Sequence, residues 1–244
     1  MNLLFVADPL EHFKIHKDTT FAMMREAQRR DHRIAACGPE DLHWQSGGRV
    51  MARVRPITLT GRTPQWFTEA PAQEMALADF DAVLMRKDPP FDAEYIYATH
   101  LLEQAEREGA LVVNKPAALR NHPEKLAVME WPQFVGPTLV TRSADEIRRF
   151  HAEHQDIILK PLDGMGGTGI FRVKADGLNL GSIIETLNAG GAQTVMVQRF
   201  LPEITQGDKR ILIIDGEPVP FVLARIPQGN EVRGNLAAGG KGVA

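Results

Sequence analysis

A glycine-rich segment between two strands constrains the fold of this chain more than any other feature. The apolar runs at 157–160 and 170–173 are typical of strands, and Lys160 ends the first of them. Glycine adopts backbone conformations closed to other residues and lets the backbone approach a ligand closely. The segment therefore predicts a turn between two strands that covers a bound molecule. Its four glycines are Gly164, Gly166, Gly167 and Gly169.

The spacing of these glycines fits several kinds of phosphate site, which the flanking residues distinguish. The pattern G-x-G-x-x-G over 164–169 marks a dinucleotide site when a helix begins at the last glycine, but here a strand follows. No Gly-Lys-Ser/Thr run supports a Walker loop. Lys160 precedes the loop, whereas the kinase lysine lies on a later strand, and no His-Arg-Asp or Asp-Phe-Gly motif occurs. Two interpretations remain: a loop whose N–H groups face phosphate oxygens, or a turn that needs glycine for its geometry alone.

Further polar residues are candidates for binding an anionic ligand. Lys125 is a second candidate phosphate cation, although a lone surface lysine is usually solvated. The strand end at 198–201 would offer backbone groups to an adenine ring. Alternate strand positions share a face, so Asp208 and Arg210 are expected to point the same way. Arginines neutralise carboxylate and phosphate oxygens through paired N–H donors. The candidates are Arg210, Arg225 and Arg233. The alternative for each is an exposed strand arginine with no ligand.

Strands alternate with helices over the first 120 residues, which predicts a mainly parallel α/β sheet. Ligands bind such sheets at the carboxyl ends of the strands. Asp8, Arg86 and Asn114 each follow a strand and are expected near a shared rim. The predicted strands lie at 3–7, 34–37, 82–85 and 111–113, and the predicted helices at 19–30 and 93–108.

The second half has the pattern of an α+β domain, in which hairpins dominate. A capping box opens a helix over 143–154, and the tight turn at 215–218 joins two strands. The segment 227–242 is rich in glycine and predicted to be mobile. We therefore predict two domains, at 1–120 and 121–244.

Composition excludes several classes of protein. The chain of 244 residues has a formal net charge of −3 and no long run of one sign, so neither nucleic acid nor a membrane surface is an expected partner. No window approaches the roughly 20 apolar residues that a spanning helix needs. The single cysteine, Cys37, excludes an intramolecular disulfide and is expected to be a buried strand residue. We predict a cytoplasmic protein.

Four segments together resemble prokaryotic glutathione synthetases, which are ligases of the ATP-grasp family. They are MRKDPPFD at 85–92, VNKP at 113–116, ILKPLDGMGG at 158–167 and LARIPQG at 223–229. The resemblance extends from the first strand to the segment 233–240 and covers essentially the whole chain. It implies a parallel α/β pre-ATP-grasp domain followed by an ATP-grasp domain. It also implies ATP with Mg²⁺, or alternatively Mn²⁺, and a homotetramer as the usual assembly.

The resemblance implies a reaction and a role for particular residues. ATP phosphorylates the cysteinyl carboxylate of γ-glutamylcysteine, and glycine attacks the acyl phosphate to give glutathione, ADP and phosphate. Arg210 and Arg225 would face the acyl phosphate as catalytic residues. Peptide substrate would meet Arg86, Lys17, Asp18 and Arg233. ATP would be held by Lys125, Lys160, Gly164, Gly166, Gly167, Gln198, Arg199, Phe200, Leu201 and Asp208.

The resemblance also predicts a departure at the end of the chain. The family holds magnesium with acidic residues and an Asn, and no such cluster occurs in 229–244. We therefore expect the metal ligands after Ala244, an incomplete ATP-grasp domain, and a chain that is inactive alone. Two alternatives remain open: an inactive remnant that binds nucleotide or peptide, and an ATP-grasp ligase for a different amino acid.

Overall fold

Two structural units divide the chain after Pro123, into Met1–Pro123 and Glu124–Ala244. They are seen in a computed structural model that describes residues 1–229 and 231–243. The sequence predicted a boundary after residue 120, and the observed division lies slightly later. Within the described ranges, no helix is both long and apolar enough to cross a membrane.

The first unit is built on one mixed sheet flanked by helices. Its strands are β1 Asn2–Val6, β2 Arg33–Cys37, β3 Leu42–Trp44, β4 Val50–Leu59, β5 Phe67–Glu69, β6 Gln73–Ala76, β7 Ala82–Met85 and β8 Val112–Val113. Its α-helices are α1 Thr19–Arg29, α2 Ala93–Arg107 and α3 Pro116–Asn121, with 3₁₀ turns at Leu10–His12, Pro39–Asp41 and Leu77–Asp79.

The strand order of this sheet is β3-β4-β2-β1-β7-β8, and β5 and β6 also pair with β4. The four strands β2, β1, β7 and β8 are parallel, which confirms the predicted parallel core. The antiparallel strands around β4 were not predicted. Buried Val50, Ala52 and Val54 alternate with more exposed residues along β4. This period-2 pattern was present in the sequence, but nearby glycine, arginine and proline residues obscured it.

Helices cover both faces of the parallel strands. The Asp18 carboxylate accepts a hydrogen bond from the Phe21 N–H at 2.8 Å and so caps the start of α1. Met24 of α1 packs with Phe5 on one face of the sheet. Leu102 of α2 packs with Val6 on the other face. Ligand-accessible groups are therefore found at the strand ends rather than on the faces.

The second unit contains two antiparallel sheets. Its strands are β9 Thr138–Thr141, β10 Ile157–Pro161, β11 Phe171–Val173, β12 Val195–Arg199, β13 Asp208–Ile214, β14 Glu217–Ile226 and β15 Lys241–Val243. Its α-helices are α4 Ala144–His154 and α5 Leu180–Asn188. The 3₁₀ turns are Leu126–Glu130, Pro132–Phe134, Ala189–Gly191, Pro202–Gln206 and Leu236–Ala238.

A four-stranded sheet, in the order β11-β10-β12-β9, forms the core of this unit. Ile147 of α4 and Ile184 of α5 pack on one face with Val195 and Val197 of β12. Because side chains alternate along a strand, Met196 and Gln198 of the same strand point to the opposite face. That opposite face carries the candidate site.

A three-stranded sheet, in the order β13-β14-β15, follows. The predicted turn between β13 and β14 is present, with Asp215 and Gly216 at φ of 52° and 82°. The sequence assigned no strand to 227–242, yet Lys241 pairs in register with Ile226 at the start of β15. This segment therefore contributes ordered elements beside the candidate site.

Candidate functional site

A cavity of about 250 Å³ lies beneath the glycine-rich loop of the second unit. Six residues predicted from the sequence meet in its lining: Lys125, Lys160, Gly164, Gly166, Gly167 and Gln198. Sequence reasoning assigned no site role to the apolar lining residues Val128, Ile170 and Met196, nor to Asn235. The alternation of β12 was the available signal for Met196, since Val195 and Val197 belong to the core.

Strand pairing brings Lys160 to this cavity. Lys160 lies opposite Met196 in the register of β10 and β12, while its neighbour Leu159 is buried in the core. Among the described residues, the Lys160 ammonium group has no hydrogen-bond acceptor or ion-pair partner. Burial lowers its pKa, and the charge of Lys125 lowers that pKa further.

Lys125 contributes the second positive charge of the cavity. Its Nζ donates a hydrogen bond to the Gly164 carbonyl oxygen at 2.6 Å. The Glu124 carboxylate is 4.0 Å from the same Nζ and largely exposed. Two neighbouring cations with so little compensation favour a bound anion.

The loop above the cavity requires glycine. Gly166 and Gly167 have φ of 65° and 86°, in the region that side chains disfavour. A Cβ on Gly167 would lie 3.0 Å from both Arg233 Cδ and Asn235 Oδ1. The Arg233 guanidinium also donates from Nη1 to the Gly167 carbonyl oxygen at 2.9 Å. The segment after β14 therefore packs directly on the glycine loop.

The strand end predicted to meet an adenine ring is partly occupied by internal hydrogen bonds. The N–H of Arg199 donates to the Pro137 carbonyl oxygen at 3.0 Å. The N–H of Phe200 donates to the backbone carbonyl oxygen of Asp156 at 2.8 Å. Within the part of the chain that the structure describes, the N–H of Leu201 makes no hydrogen bond. The amide of Leu201 is thus the available donor at this edge.

Asp208 and Arg225, which the sequence placed in different roles, form one ion pair. They are register partners on β13 and β14. Arg225 Nε donates to Oδ1 of Asp208 at 2.8 Å and Nη2 donates to Oδ2 at 2.5 Å, and the carboxylate raises the pKa of Arg225. Arg210 pairs in register with Leu223 and is exposed. None of these three charged side chains belongs to the cavity lining.

The first unit holds a separate polar rim. Arg86 donates from Nε to Thr20 Oγ1 and from Nη2 to Thr19 Oγ1, each at 3.0 Å. Lys87 Nζ lies 2.7 Å from Asp8 Oδ1, so residues that follow β1 and β7 meet at this rim.

Asp88 interacts electrostatically with Asp18 and Arg86 in the first unit. Asp88 was missed by sequence reasoning; burial raises its pKa, as do the charges of Asp8 and Asp18. Asp18 caps α1, and Lys17 is exposed in the preceding turn.

Cys37 is the buried strand residue that the sequence predicted, and it contributes to neither site. Cys37 is buried, and burial raises the pKa of its thiol. Across 1–229 and 231–243, no group of three or more His, Cys, Asp or Glu side chains is placed to hold a metal ion.

Comparisons of sequence give close matches along both units. The model of the prokaryotic glutathione synthetase N-terminal domain matches residues 1–120, and that of the prokaryotic glutathione synthetase ATP-grasp domain matches 124–244. The chain is 57% identical to the glutathione synthetase of Ralstonia nicotianae, over 99% of this chain and 74% of the relative. It is 56% identical to that of Nitrosomonas europaea, over 100% of this chain and 77% of the relative.

Comparisons of structure reach more distant proteins. The D-cycloserine synthetase DcsG aligns over 93% of this chain and 68% of its own, with a TM-score of 0.59 and 16% identity. A RimK domain ATP-grasp protein from Sphaerobacter thermophilus aligns over 87% and 69%, with a TM-score of 0.55 and 20% identity. These likenesses show the ATP-grasp fold.

Proposed function

Because the chain belongs to the prokaryotic glutathione synthetase family, we propose that it joins γ-glutamylcysteine to glycine at the expense of ATP, with the nucleotide in the cavity beneath the glycine loop. One observation supports this location: the half-buried side chains of Lys125 and Lys160 line the same cavity, and a glycine loop lies above them. Holding two cations partly away from water costs free energy in the empty site. A bound phosphate offsets that cost.

The reaction has two steps. The cysteinyl carboxylate of γ-glutamylcysteine attacks the γ-phosphorus of ATP, giving an acyl phosphate and ADP. The glycine amine then attacks the acyl carbon, so that the C–N bond forms, phosphate leaves and the amine loses a proton. Phosphorylation is needed because a free carboxylate is a poor electrophile, and both steps concentrate negative charge that positive groups stabilise.

The nucleotide is assigned to residues of the second unit. Lys125 and Lys160 bind phosphate oxygens, and the N–H groups of Gly164, Gly166 and Gly167 cover them. The adenine ring lies along 198–201, where the Leu201 N–H is available to a ring nitrogen. Asp208 completes the adenosine site and must then share its carboxylate between Arg225 and the ligand.

The remaining charged residues are assigned to peptide and acyl phosphate. Arg86, with Lys17 and Asp18, is proposed to bind γ-glutamylcysteine from the first unit. Arg210 and Arg225 are proposed to neutralise the acyl phosphate. Arg233 already contacts the Gly167 carbonyl, so its segment is suited to close over the loop and exclude water.

Magnesium and a homotetramer are proposed on the strength of the family resemblance. The described side chains form no group of three or more His, Cys, Asp or Glu residues placed to hold a metal ion, so none of them is assigned as a ligand of Mg²⁺ or Mn²⁺. A cytoplasmic location is proposed on the same basis.

Calorimetric titration of the 244-residue chain with ATP tests the nucleotide site directly. We expect saturable binding of ATP at one site per chain. Inorganic phosphate alone should compete with ATP only weakly. A parallel assay with γ-glutamylcysteine, glycine, ATP and Mg²⁺ measures glutathione, and replacing glycine by other amino acids tests for a ligase of different specificity. Absence of ATP binding to the folded chain would overturn the assignment of the cavity.

A further inference from the structure

Two hydrogen bonds behind the candidate adenine edge form a short relay. Thr138, the first residue of β9, is the register partner of Gln198 on β12. Thr138 Oγ1 lies 2.8 Å from the Gly136 carbonyl oxygen, to which it donates. Gln198 Nε2 donates to the same Oγ1 at 2.9 Å.

The chemistry of these groups fixes the orientation of the Gln198 amide. A carbonyl oxygen only accepts, so the single hydroxyl proton of Thr138 is used by Gly136. Oγ1 is then an acceptor towards Gln198, which must present its NH₂ group. Gln198 lines the cavity, and among the described residues its Oε1 has no hydrogen-bond donor. The amide therefore presents an acceptor to the ligand.

We propose that Thr138 is a positioning residue that makes the site selective for adenine, an inference that rests on the proposed nucleotide function of the cavity. Adenine carries an exocyclic amine that donates to the Gln198 oxygen. Hypoxanthine carries a carbonyl oxygen at the same position, which repels that acceptor. Flipping the Gln198 amide would relieve the repulsion, but it would set Oε1 against a Thr138 oxygen that has no proton left to donate.

Titration of the full chain with ATP and with inosine triphosphate measures this selectivity. The two nucleotides differ at the exocyclic group and at N1, which carries a proton in hypoxanthine. Because the N1 difference is the same for every variant, a change of the affinity ratio between variants reports the exocyclic group. We expect the wild-type chain to bind ATP at least about tenfold more tightly, as one hydrogen bond and its avoided repulsion imply. Thr138→Val removes the acceptor for the Gln198 NH₂ group while keeping the side-chain shape. The ratio of the two dissociation constants should then fall roughly tenfold. Thr138→Ser, which keeps the hydroxyl, should retain the wild-type ratio.

Thr141→Val is the matched control. Thr141 lies on the same strand as Thr138, but its register partner is Val195 of the core rather than Gln198. A purely structural effect lowers both affinities together and leaves their ratio unchanged. If wild-type chain binds ATP but the ratio is near one, or if Thr138→Val keeps the wild-type ratio, Thr138 does not set selectivity. If wild-type chain binds neither nucleotide, the proposed nucleotide site itself fails and this inference fails with it.

Discussion

Lys160, which is proposed to bind phosphate, lowers the stability of the folded chain while its cavity holds no anion. Its pKa is lowered by burial and by Lys125, so the charged form is less stable in the folded chain than in the unfolded chain. This destabilisation is fully present below the folded-state pKa and is relieved as the pH rises through that pKa towards the unfolded-state value of 10.5. A bound phosphate removes the same penalty by compensating both charges.

Replacing Lys160 by methionine should therefore have opposite effects on binding and stability. We expect Lys160→Met to weaken ATP binding by roughly 10- to 100-fold, because a charge-assisted hydrogen bond is lost. The free energy of unfolding without ATP should rise, because a desolvated charge is removed. Calorimetric titration and urea unfolding at pH 7 measure the two effects.

Lys174→Met is the control for this substitution, since Lys174 is an exposed lysine of the same unit. It should change neither quantity appreciably. Equal ATP affinity in Lys160→Met and wild-type chain would remove Lys160 from the phosphate site.

Asp88 gives a pH-dependent prediction in the first unit. Burial, followed by the charges of Asp8 and Asp18, raises its pKa above the ordinary value of 3.8. The folded chain therefore binds this proton more tightly than the unfolded chain, and the stability that protonation gives is complete below pH 3.8 and lost as the pH rises through the folded-state pKa. Asp88→Asn should raise the thermal midpoint at pH 7 and leave it nearly unchanged at pH 3.

The comparison for Asp88 is Asp79→Asn, which removes an exposed carboxylate paired with Arg49. That variant should not gain stability at pH 7. A destabilised Asp88→Asn chain would show that the Asp88 carboxylate is stabilised by contacts that outweigh its burial and its acidic neighbours.

Individual residue types were predictable to different degrees. Lys160 and the loop glycines stood in a dense local motif, so the sequence identified them and the structure places them in one cavity. The ion pair between Asp208 and Arg225 depends on the register of two strands, which periodicity alone does not determine. Thr138 resembles any strand threonine in sequence, and only its two hydrogen bonds single it out.

At the scale of elements, the glycine loop and the segment after β14 depend on each other. Gly167→Ala adds a left-handed backbone penalty of about 1–2 kcal/mol and a Cβ at 3.0 Å from Arg233 and Asn235. Gly166→Ala adds a similar backbone penalty, but its Cβ would meet only Ala237 at an ordinary 3.6 Å. We expect Gly167→Ala to weaken ATP binding more than Gly166→Ala, because it also displaces Arg233.

The difference between these two alanine variants isolates the contact from the backbone strain. Titration with ATP and amide exchange of 231–240 measure it, and exchange there should speed up in Gly167→Ala alone. Identical behaviour of the two variants would mean that the Arg233 segment does not depend on the loop.

Regular elements were predicted where the hydrophobic pattern was continuous. The helices α1 and α2 and the strands β1, β7 and β10 follow apolar runs with local capping or turn signals. The strands β3, β5 and β6 were missed because they gain their pairing from β4 rather than from their own composition. β15 is similar, since a short glycine-containing strand is stabilised by its neighbour β14.

At the scale of the whole molecule, two family models match in succession and the fold divides near the same place. The cavity proposed to hold the nucleotide has a described lining made entirely of residues of the second unit. A ligand that binds only the folded form of a unit stabilises that unit, by about 2.7 kcal/mol at a concentration 100 times its dissociation constant. ATP should therefore act unequally on the two units.

Amide exchange of the core strands measures this inequality, because their amides exchange mainly through unfolding of the unit. At 100 times the dissociation constant, we expect ATP to slow exchange in β10 and β12 by about 100-fold. Exchange in β1 and β7 should change little, and Lys160→Met at the same ATP concentration should show much weaker protection. Equal slowing of all four strands would show instead that the two units unfold as one cooperative body, since ligand binding to one would then stabilise both.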